Sequence, residues 1–215
     1  MKQETKLFAK KLLTLVMPIA FQQFMLALVN ASDAIMLGVI DQDSLAAVSL
    51  ASQIPFVENL FLAAMTTGLS ILAAQYWGRG DLGAVERIFA FVMKVTATIA
   101  LIFGLAALLA PRLLMMMFTS EEELIAAGAV YLRTVSPSLL LTGISQVYLC
   151  ILKNSGSALR STVISSVSVV VNIVINAVLI YGFGLEVLGA GLATLASRVL
   201  GAVIMVRRRL RPDCT

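Results

Sequence analysis

Six long apolar runs constrain this chain more than any other feature of its sequence. A helix needs about 20 predominantly apolar residues to cross the hydrocarbon core of a bilayer. Runs of this order lie between charged and turn residues, roughly at 12–40, 44–77, 88–109, 135–152, 162–180 and 187–206. None alternates in polarity over segments of about ten residues, as the strands of membrane barrels do. The pattern predicts an all-α membrane protein in which residues 1–215 form one bundle of six transmembrane helices.

The composition excludes most other classes of protein. Hydrophobic residues make up 60% of the 215 residues and charged residues 13%, whereas soluble domains have about 45–50% and about 25%. The net charge of +4 does not indicate nucleic-acid binding, because the basic residues stand in short clusters between apolar runs. The chain has no histidine and no Walker A loop. We therefore expect no enzymatic activity, and no cofactor other than a coupling ion.

The distribution of basic residues predicts how the bundle lies in the membrane. Both termini and alternate loops carry twelve of the 16 basic residues, namely Lys2, Lys6, Lys10, Lys11, Arg79, Arg87, Lys153, Arg160, Arg207, Arg208, Arg209 and Arg211. The opposite loops carry Arg112 together with several acidic residues. Cytoplasmic loops are enriched in Lys and Arg. We therefore expect a multi-pass protein of the plasma (inner) membrane with both termini in the cytoplasm.

Residues 119–133 predict a short interfacial helix ahead of the fourth apolar run. Thr119 or Ser120, followed by three glutamates, is typical of a helix N-terminus with acidic residues in its first turn. Tyr131 and Arg133 suit the headgroup level of a bilayer. We expect this helix to end before Pro137, which opens the membrane span.

An aspartate inside the first apolar run is the strongest functional signal. The seven residues between Asp33 and Asp41 are apolar or glycine, so in a helix Asp33 lies about 12 Å below the outer charge. A carboxylate at the centre of a membrane helix costs about 2.5–3.5 kcal/mol on insertion scales. Such residues face a cavity or a partner, and Asp33 is therefore predicted to be functional.

The fifth and sixth runs carry polar residues at a matching depth. Asn172 and Asn176 are four residues apart and share a helix face, and Thr194 lies about 12 Å inward from Glu186. We expect these three side chains to converge with Asp33 in the outer half of the bundle. Oxygen ligands with one carboxylate suit H⁺ or Na⁺. The alternative is that the asparagines and the threonine only join helices through hydrogen bonds.

Other unusual residues indicate a hinge and a substrate cavity. Pro18 removes a helical hydrogen bond, so it is either a hinge of the first helix or a static kink. Gln23, Glu58 and Asn59 are placed in a predicted cavity that accepts cationic substrates. For Glu58 the alternative is pairing with Arg198, the one arginine predicted deep in the membrane.

Several short motifs are specific when they are taken together. They are Asn30–Gly38 with Ala46–Val48, Gly68–Gly78, Leu152–Gly156, Asn172–Asn176 and Gly189–Thr194. As a set they resemble the amino-terminal six-helix lobe of the multidrug and toxic compound extrusion (MATE) family, over nearly the whole chain. The resemblance implies a transporter of two six-helix lobes around a central cavity, which exchanges H⁺ or Na⁺ for organic, often cationic compounds.

The resemblance also implies roles for individual positions. Asp33 matches the acid on the family's first helix, while Asn172 and Thr194 match polar positions of the cation site in this lobe. Asn176 stands where some members have aspartate, which favours a single-carboxylate proton site over tight binding of Na⁺. Glu58 stands where the family usually has an apolar residue.

The chain stops where a second lobe of the family would follow. Three explanations are open: an incomplete chain, which we favour, a partner lobe encoded separately, or a homodimer of parallel lobes related about the membrane normal. The leading prediction is half of a secondary antiporter that exports small organic cations in exchange for H⁺ or Na⁺. The alternatives are a lipid-linked sugar flippase of the same superfamily, and a membrane fragment that does not transport without a second lobe.

Overall fold

A computed structural model describes residues 2–154 and 158–209 of the chain. Within its helices, some side chains lie outside the description, including those of Pro18, Asp33 and residues 158–161 and 205–209. Every regular element in the described ranges is a helix. The prediction of an all-α protein is therefore confirmed.

Eight α-helices and one π-helical turn follow one another along the described residues. They are α1 (Lys2–Ile40), α2 (Gln42–Ala51), α3 (Gln53–Gly78), α4 (Leu82–Leu109), α5 (Pro111–Met116), α6 (Glu122–Asn154), α7 (Ala158–Ala177), the π-helical turn (Val178–Gly182) and α8 (Glu186–Arg209). Five described segments are long and apolar enough to cross a membrane, namely Gln42–Gly78, Leu82–Leu109, Glu122–Asn154, Thr162–Gly182 and Glu186–Ile204. They correspond to the second to sixth apolar runs. The first run lies within α1, and its crossing of the membrane stays a prediction.

The second predicted span consists of two helices rather than one. α2 begins after Asp41, whose side chain accepts a hydrogen bond from the Ser44 backbone N–H at 2.8 Å. This hydrogen bond is the main reason why the pKa of Asp41 lies below its usual value of 3.8. α2 ends at Ala51. Ser52 then separates it from α3, and its hydroxyl donates to the Val48 carbonyl at 2.7 Å.

The fourth span differs from the prediction, because its residues and those of the predicted interfacial helix form one continuous helix. The Thr119 hydroxyl accepts a hydrogen bond from the Glu121 N–H at 3.2 Å, so the N-terminal signal is present. However, α6 continues as one helix through Pro137, and the prediction of a separate helix ending before this proline is wrong. Proline lacks the N–H that would bond the carbonyl four residues earlier, which is that of Arg133. The Ser136 hydroxyl donates to this carbonyl at 2.8 Å instead, so the helix continues.

α6 lies at the centre of the bundle. It packs against α2, α3, α4, α5, α7 and α8. Leu132 and Tyr131 of α6 belong to the main apolar cluster, so Tyr131 is buried rather than exposed at the headgroup level. Towards α4 the contact is made by small residues, with Gly143 facing Ala100 and Thr96. Small residues let membrane helices approach closely.

The turn between α7 and α8 sets the position of the helix ends that it joins. After the π-helical turn, Gly184 has a φ of 63°, a left-handed conformation that favours glycine. The Glu186 carboxylate at the start of α8 accepts a hydrogen bond from the Ser44 hydroxyl at 3.4 Å. The N-terminal end of α8 is thereby joined to α2.

Candidate cation site

The three helices that carry the predicted cation site are neighbours. α7 packs against both α1 and α8, and α1 also contacts α8. Successive membrane spans alternate in direction, so α1 and α7 run the same way and α8 runs in the opposite direction. Two hydrogen bonds between these helices determine which residues lie at the same level.

Gln22 sets the level of α1 against α7. It is 5% exposed, and its Nε2 donates to Ser165 Oγ at 2.9 Å. Position 33 lies eleven residues after Gln22 on α1, and Asn176 lies eleven residues after Ser165 on α7. Both steps correspond to about 16 Å along the helix at 1.5 Å per residue. Asp33 therefore stands level with Asn176, although its side chain lies outside the described residues.

Asn172 sets the level of α7 against α8. Its Nδ2 donates to Ser197 Oγ at 3.3 Å. Because the two helices are antiparallel, Asn176, one turn further along α7, lies about level with Thr194 on α8. Asn172 is 5% exposed and Asn176 is 0% exposed, whereas Thr194 is half-buried. The four predicted positions thus lie within about one helical turn of a common level, on three adjacent helices.

The groups at this level are mainly oxygen atoms. Asn172 Oδ1 is buried and has no hydrogen-bond partner among the described residues. The Thr194 hydroxyl donates to the Ala190 carbonyl at 2.9 Å, which leaves the lone pairs of its oxygen available to a ligand. The described side chains contain no group of three or more His, Cys, Asp or Glu residues that would hold a metal ion. Amide and hydroxyl oxygens near one carboxylate suit H⁺ or Na⁺.

The residues of the predicted substrate cavity occupy two different environments. Gln23 and Asn59 are exposed on the surface of the lobe, and Asn59 Nδ2 donates to the Pro55 carbonyl of its own helix at 2.9 Å. Glu58 is 1% exposed and lies in the electrostatic field of Arg198. These two side chains form no ion pair within 4.0 Å in the described part of the chain. The structure thus favours Glu58 as a neighbour of Arg198, while Gln23 and Asn59 remain predicted cavity residues.

Sequence reasoning missed the residues that align the three helices. Gln22, Ser165 and Ser197 were not among the predicted site residues. A signal for Ser165 is present, because it precedes Asn172 by seven residues, or two helical turns, and so shares its helix face. Pro18 lies one turn before Gln22 on α1. Its side chain is outside the described residues, so its role as a hinge stays a prediction.

The chain is similar in sequence to probable multidrug resistance proteins named NorM. The protein of Rhizobium meliloti is 30% identical over 191 residues, which are 83% of this chain and 39% of that protein. The protein of Thermotoga maritima is 24% identical over 208 residues, which are 95% of this chain and 45% of that protein. The chain therefore spans less than half the length of these relatives.

The fold is also found in a solved transporter structure. A multidrug resistance MATE family transporter of the MOP superfamily, in its outward-facing conformation, matches with a TM-score of 0.85 at 22% identity. The match covers 94% of this chain and 45% of that one. The family model for MatE matches residues 18–178. Since this match extends over most of the sequence, the chain belongs to the MatE family, the multidrug and toxic compound extrusion family, whose members are transporters and not enzymes.

Proposed function

We propose that the chain is one lobe of a secondary antiporter that exports organic cations in exchange for H⁺ or Na⁺. The observations that support the proposal are the Gln22–Ser165 and Asn172–Ser197 hydrogen bonds. From these two bonds, helical rise predicts that position 33 lies level with Asn176 and Thr194. The names of the NorM relatives, probable multidrug resistance proteins, support export of organic compounds.

The groups near this level support coupling through a single carboxylate. Binding of H⁺ or Na⁺ at Asp33 cancels a negative charge at membrane depth, where an unpaired charge is costly. The loss of that charge changes how strongly α1 is held to the amide and hydroxyl groups of α7 and α8. Pro18 would allow α1 to bend in response. With one carboxylate and neutral partners such as Asn172, the site favours H⁺ over Na⁺.

A second lobe completes the export pathway in this proposal. The chain spans less than half of its NorM relatives. Gln23 and Asn59 are exposed on its surface at positions within the apolar runs. Polar side chains inside a bilayer face a cavity or another helix rather than lipid. A second six-helix lobe, or another copy of the chain, would enclose a substrate cavity against these residues.

The test is gradient-driven efflux of a cationic dye from vesicles that contain the full 215-residue chain. Efflux driven by a pH or Na⁺ gradient is compared between the wild type and Asp33→Asn at matched protein content. Asp43→Asn is the control, because it removes the same charge from an exposed residue in the first turn of α2. We expect Asp33→Asn to abolish driven efflux and Asp43→Asn to retain it.

Two results would contradict the proposal at different points. Driven efflux that survives Asp33→Asn excludes Asp33 as the coupling carboxylate. An absence of flux in the wild type shows that the chain does not transport by itself, and proton binding is then measured from the infrared band of the protonated carboxyl. A band that is unchanged by Asp33→Asn excludes the proton site as well.

A further inference from the structure

A partly polar cavity of about 250 Å³, open to the surface of the lobe, lies between α3 and α6, which do not carry the predicted cation site. Its polar lining consists of Thr66, Thr67, Ser70, Gln146, Cys150 and Lys153. The three lining residues of α6 follow one another at spacings of four and three, so they share one helix face. Lys153 is in the last turn of α6. The cavity therefore extends about 10 Å into the bundle from the end of α6 that is predicted to be cytoplasmic.

Hydrogen bonds across the cavity wall join α3 to α6. The Ser70 hydroxyl donates to Asn154 Oδ1 at 2.9 Å, and the Cys150 thiol donates to the Thr66 carbonyl at 3.2 Å. The Thr66 hydroxyl donates to the Leu62 carbonyl of its own helix at 2.8 Å. These donors are occupied within the protein, so the wall is built without a ligand.

The other donors of the lining remain available. Lys153, Gln146 and Thr67 have no hydrogen-bond or ion-pair partner among the described residues. An ammonium, a side-chain amide and a hydroxyl together supply several N–H and O–H groups. Lys153 is the one charged residue in the described lining, which contains no carboxylate. Free donors around one positive charge are complementary to an anion.

We propose that this cavity binds an anionic oxygen group such as phosphate, either as a free anion or as the headgroup of an anionic lipid. The Lys153 ammonium offsets one negative charge, and Gln146 and Thr67 donate hydrogen bonds to the oxygen atoms. The alternative is that Lys153 only extends along apolar surface towards the headgroups. In that case Gln146 and Thr67 have no role in binding. The proposal does not depend on antiport, because the cavity shares no residue with the cation site.

Cys150 is a natural reporter, because it lines the cavity. In the full chain with Cys214→Ser it is the single thiol. We measure its rate of reaction with an anionic (sulfonatoethyl) and with a cationic (trimethylammonioethyl) methanethiosulfonate. Each rate is divided by the rate at which the same reagent reacts with a small thiol in solution. An anion-binding cavity concentrates the anionic reagent, so we expect its normalised rate to be about tenfold higher. Lys153→Gln should bring the ratio near one, whereas Arg87→Gln, outside this cavity, should retain it.

Two protection measurements with neutral methyl methanethiosulfonate distinguish the sources of the anion. In phosphatidylcholine vesicles, inorganic phosphate is compared with chloride at equal ionic strength. In a second set, phosphatidylglycerol replaces part of the phosphatidylcholine and no phosphate is added. Slower labelling of Cys150 in the first set identifies a free anion, and slower labelling in the second identifies a lipid headgroup. No protection in either set, or protection that Lys153→Gln leaves unchanged, overturns the proposal.

Thermal unfolding decides the question if Cys150 does not react. Trp77 is the single tryptophan, and its fluorescence reports unfolding of the chain. A ligand that binds only the folded state raises Tm. Phosphate or phosphatidylglycerol should therefore raise the Tm of the Cys214→Ser chain and leave that of the same chain with Lys153→Gln unchanged. Equal shifts in the two chains, or no shift in either, contradict the proposal.

Discussion

Glu58 shows how an ionisable side chain is accommodated at membrane depth. It is 1% exposed, and its Oε1 has no hydrogen-bond partner in the described part of the chain. A buried carboxyl in such a place is stabilised by a partner charge or by protonation. The Arg198 guanidinium on α8 is the cation whose field acts on it, and Tyr131 lies within range of the same guanidinium. We therefore expect the stability of the lobe to depend on Glu58 and Arg198 together.

The two single variants of this pair should together lose more stability than the double variant loses. Arg198→Met leaves a buried carboxyl without its cation, Glu58→Leu leaves a guanidinium without its anion, and the double variant leaves two apolar side chains. We expect a coupling free energy of about 0.5–3 kcal/mol in favour of the native pair. The measurement is a double-mutant cycle of the free energy of unfolding in mixed micelles.

A second cycle provides the control for this coupling. Arg87→Met replaces Arg198→Met, because Arg87 is an exposed arginine on another helix. Its coupling to Glu58→Leu should be near zero. If Glu58→Leu and Arg198→Met are also additive, the two residues are energetically independent and the pairing is wrong.

The contact between α4 and α6 depends on residues without bulky side chains. A Cβ added at Gly143 would lie 2.9 Å from Ala100 Cβ and 3.4 Å from Thr96 Cγ2. Both of these neighbours are 0% exposed. Membrane helices associate mainly through close packing, since lipid tails are as apolar as leucine. The distance between α4 and α6 is therefore limited at Gly143.

Gly143→Ala should destabilise the lobe by about 1–3 kcal/mol, because the added methyl group overpacks a closed contact. Ala100→Gly removes the opposing methyl group and should recover part of this loss in the double variant. Gly68→Ala is the matched control, since a Cβ added there meets nothing within 4 Å and alanine favours a helix by about 1 kcal/mol. The free energy of unfolding in mixed micelles is measured for the wild type, Gly143→Ala, the double variant and Gly68→Ala. A Gly143→Ala protein as stable as the wild type would contradict the close contact.

The predicted orientation of the whole lobe rests on its basic residues. Those predicted to be cytoplasmic include both terminal clusters, whereas Arg112 is the basic residue of the opposite loops. Arg112 forms an ion pair with Glu122 at 2.9 Å, which joins the start of α5 to the start of α6. Because positively charged loops are retained in the cytoplasm, we propose that both ends of the chain lie there.

Labelling with an impermeant maleimide tests this orientation. With Cys150→Ser, Cys214 is the single thiol, and we expect it to react in inside-out vesicles but not in intact cells. Ser120→Cys in a chain without the two native thiols is the control, because Ser120 lies in a loop predicted to be outside. It should react in intact cells. Reaction of Cys214 from outside would reverse the predicted topology.

The level of the predicted cation site rests on helical rise, which converts sequence distance into depth. Counting about 12 Å inward from the outer charges predicts that Asp33 and Thr194 lie at one level. The hydrogen bonds of Gln22 and Asn172 agree with this level, and the cation site itself stays a prediction. The boundaries of the helices were less predictable. α6 passes through Pro137 because the preceding serine hydroxyl satisfies the free carbonyl, a detail that propensity alone does not reveal.

By itself the sequence determined the membrane class, the helical fold and the resemblance to the MATE family, and it predicts a carboxyl at depth in the first run. These properties depend on hydropathy and on spacing along one helix, which are local. Only the tertiary structure decided that Glu58 is buried while Asn59 beside it is exposed, because this depends on how α3 is rotated against its neighbours. It also decided that Gln22 bonds to Ser165, 143 residues away. Such contacts arise when separate helices pack, and no local pattern encodes which side chains then meet.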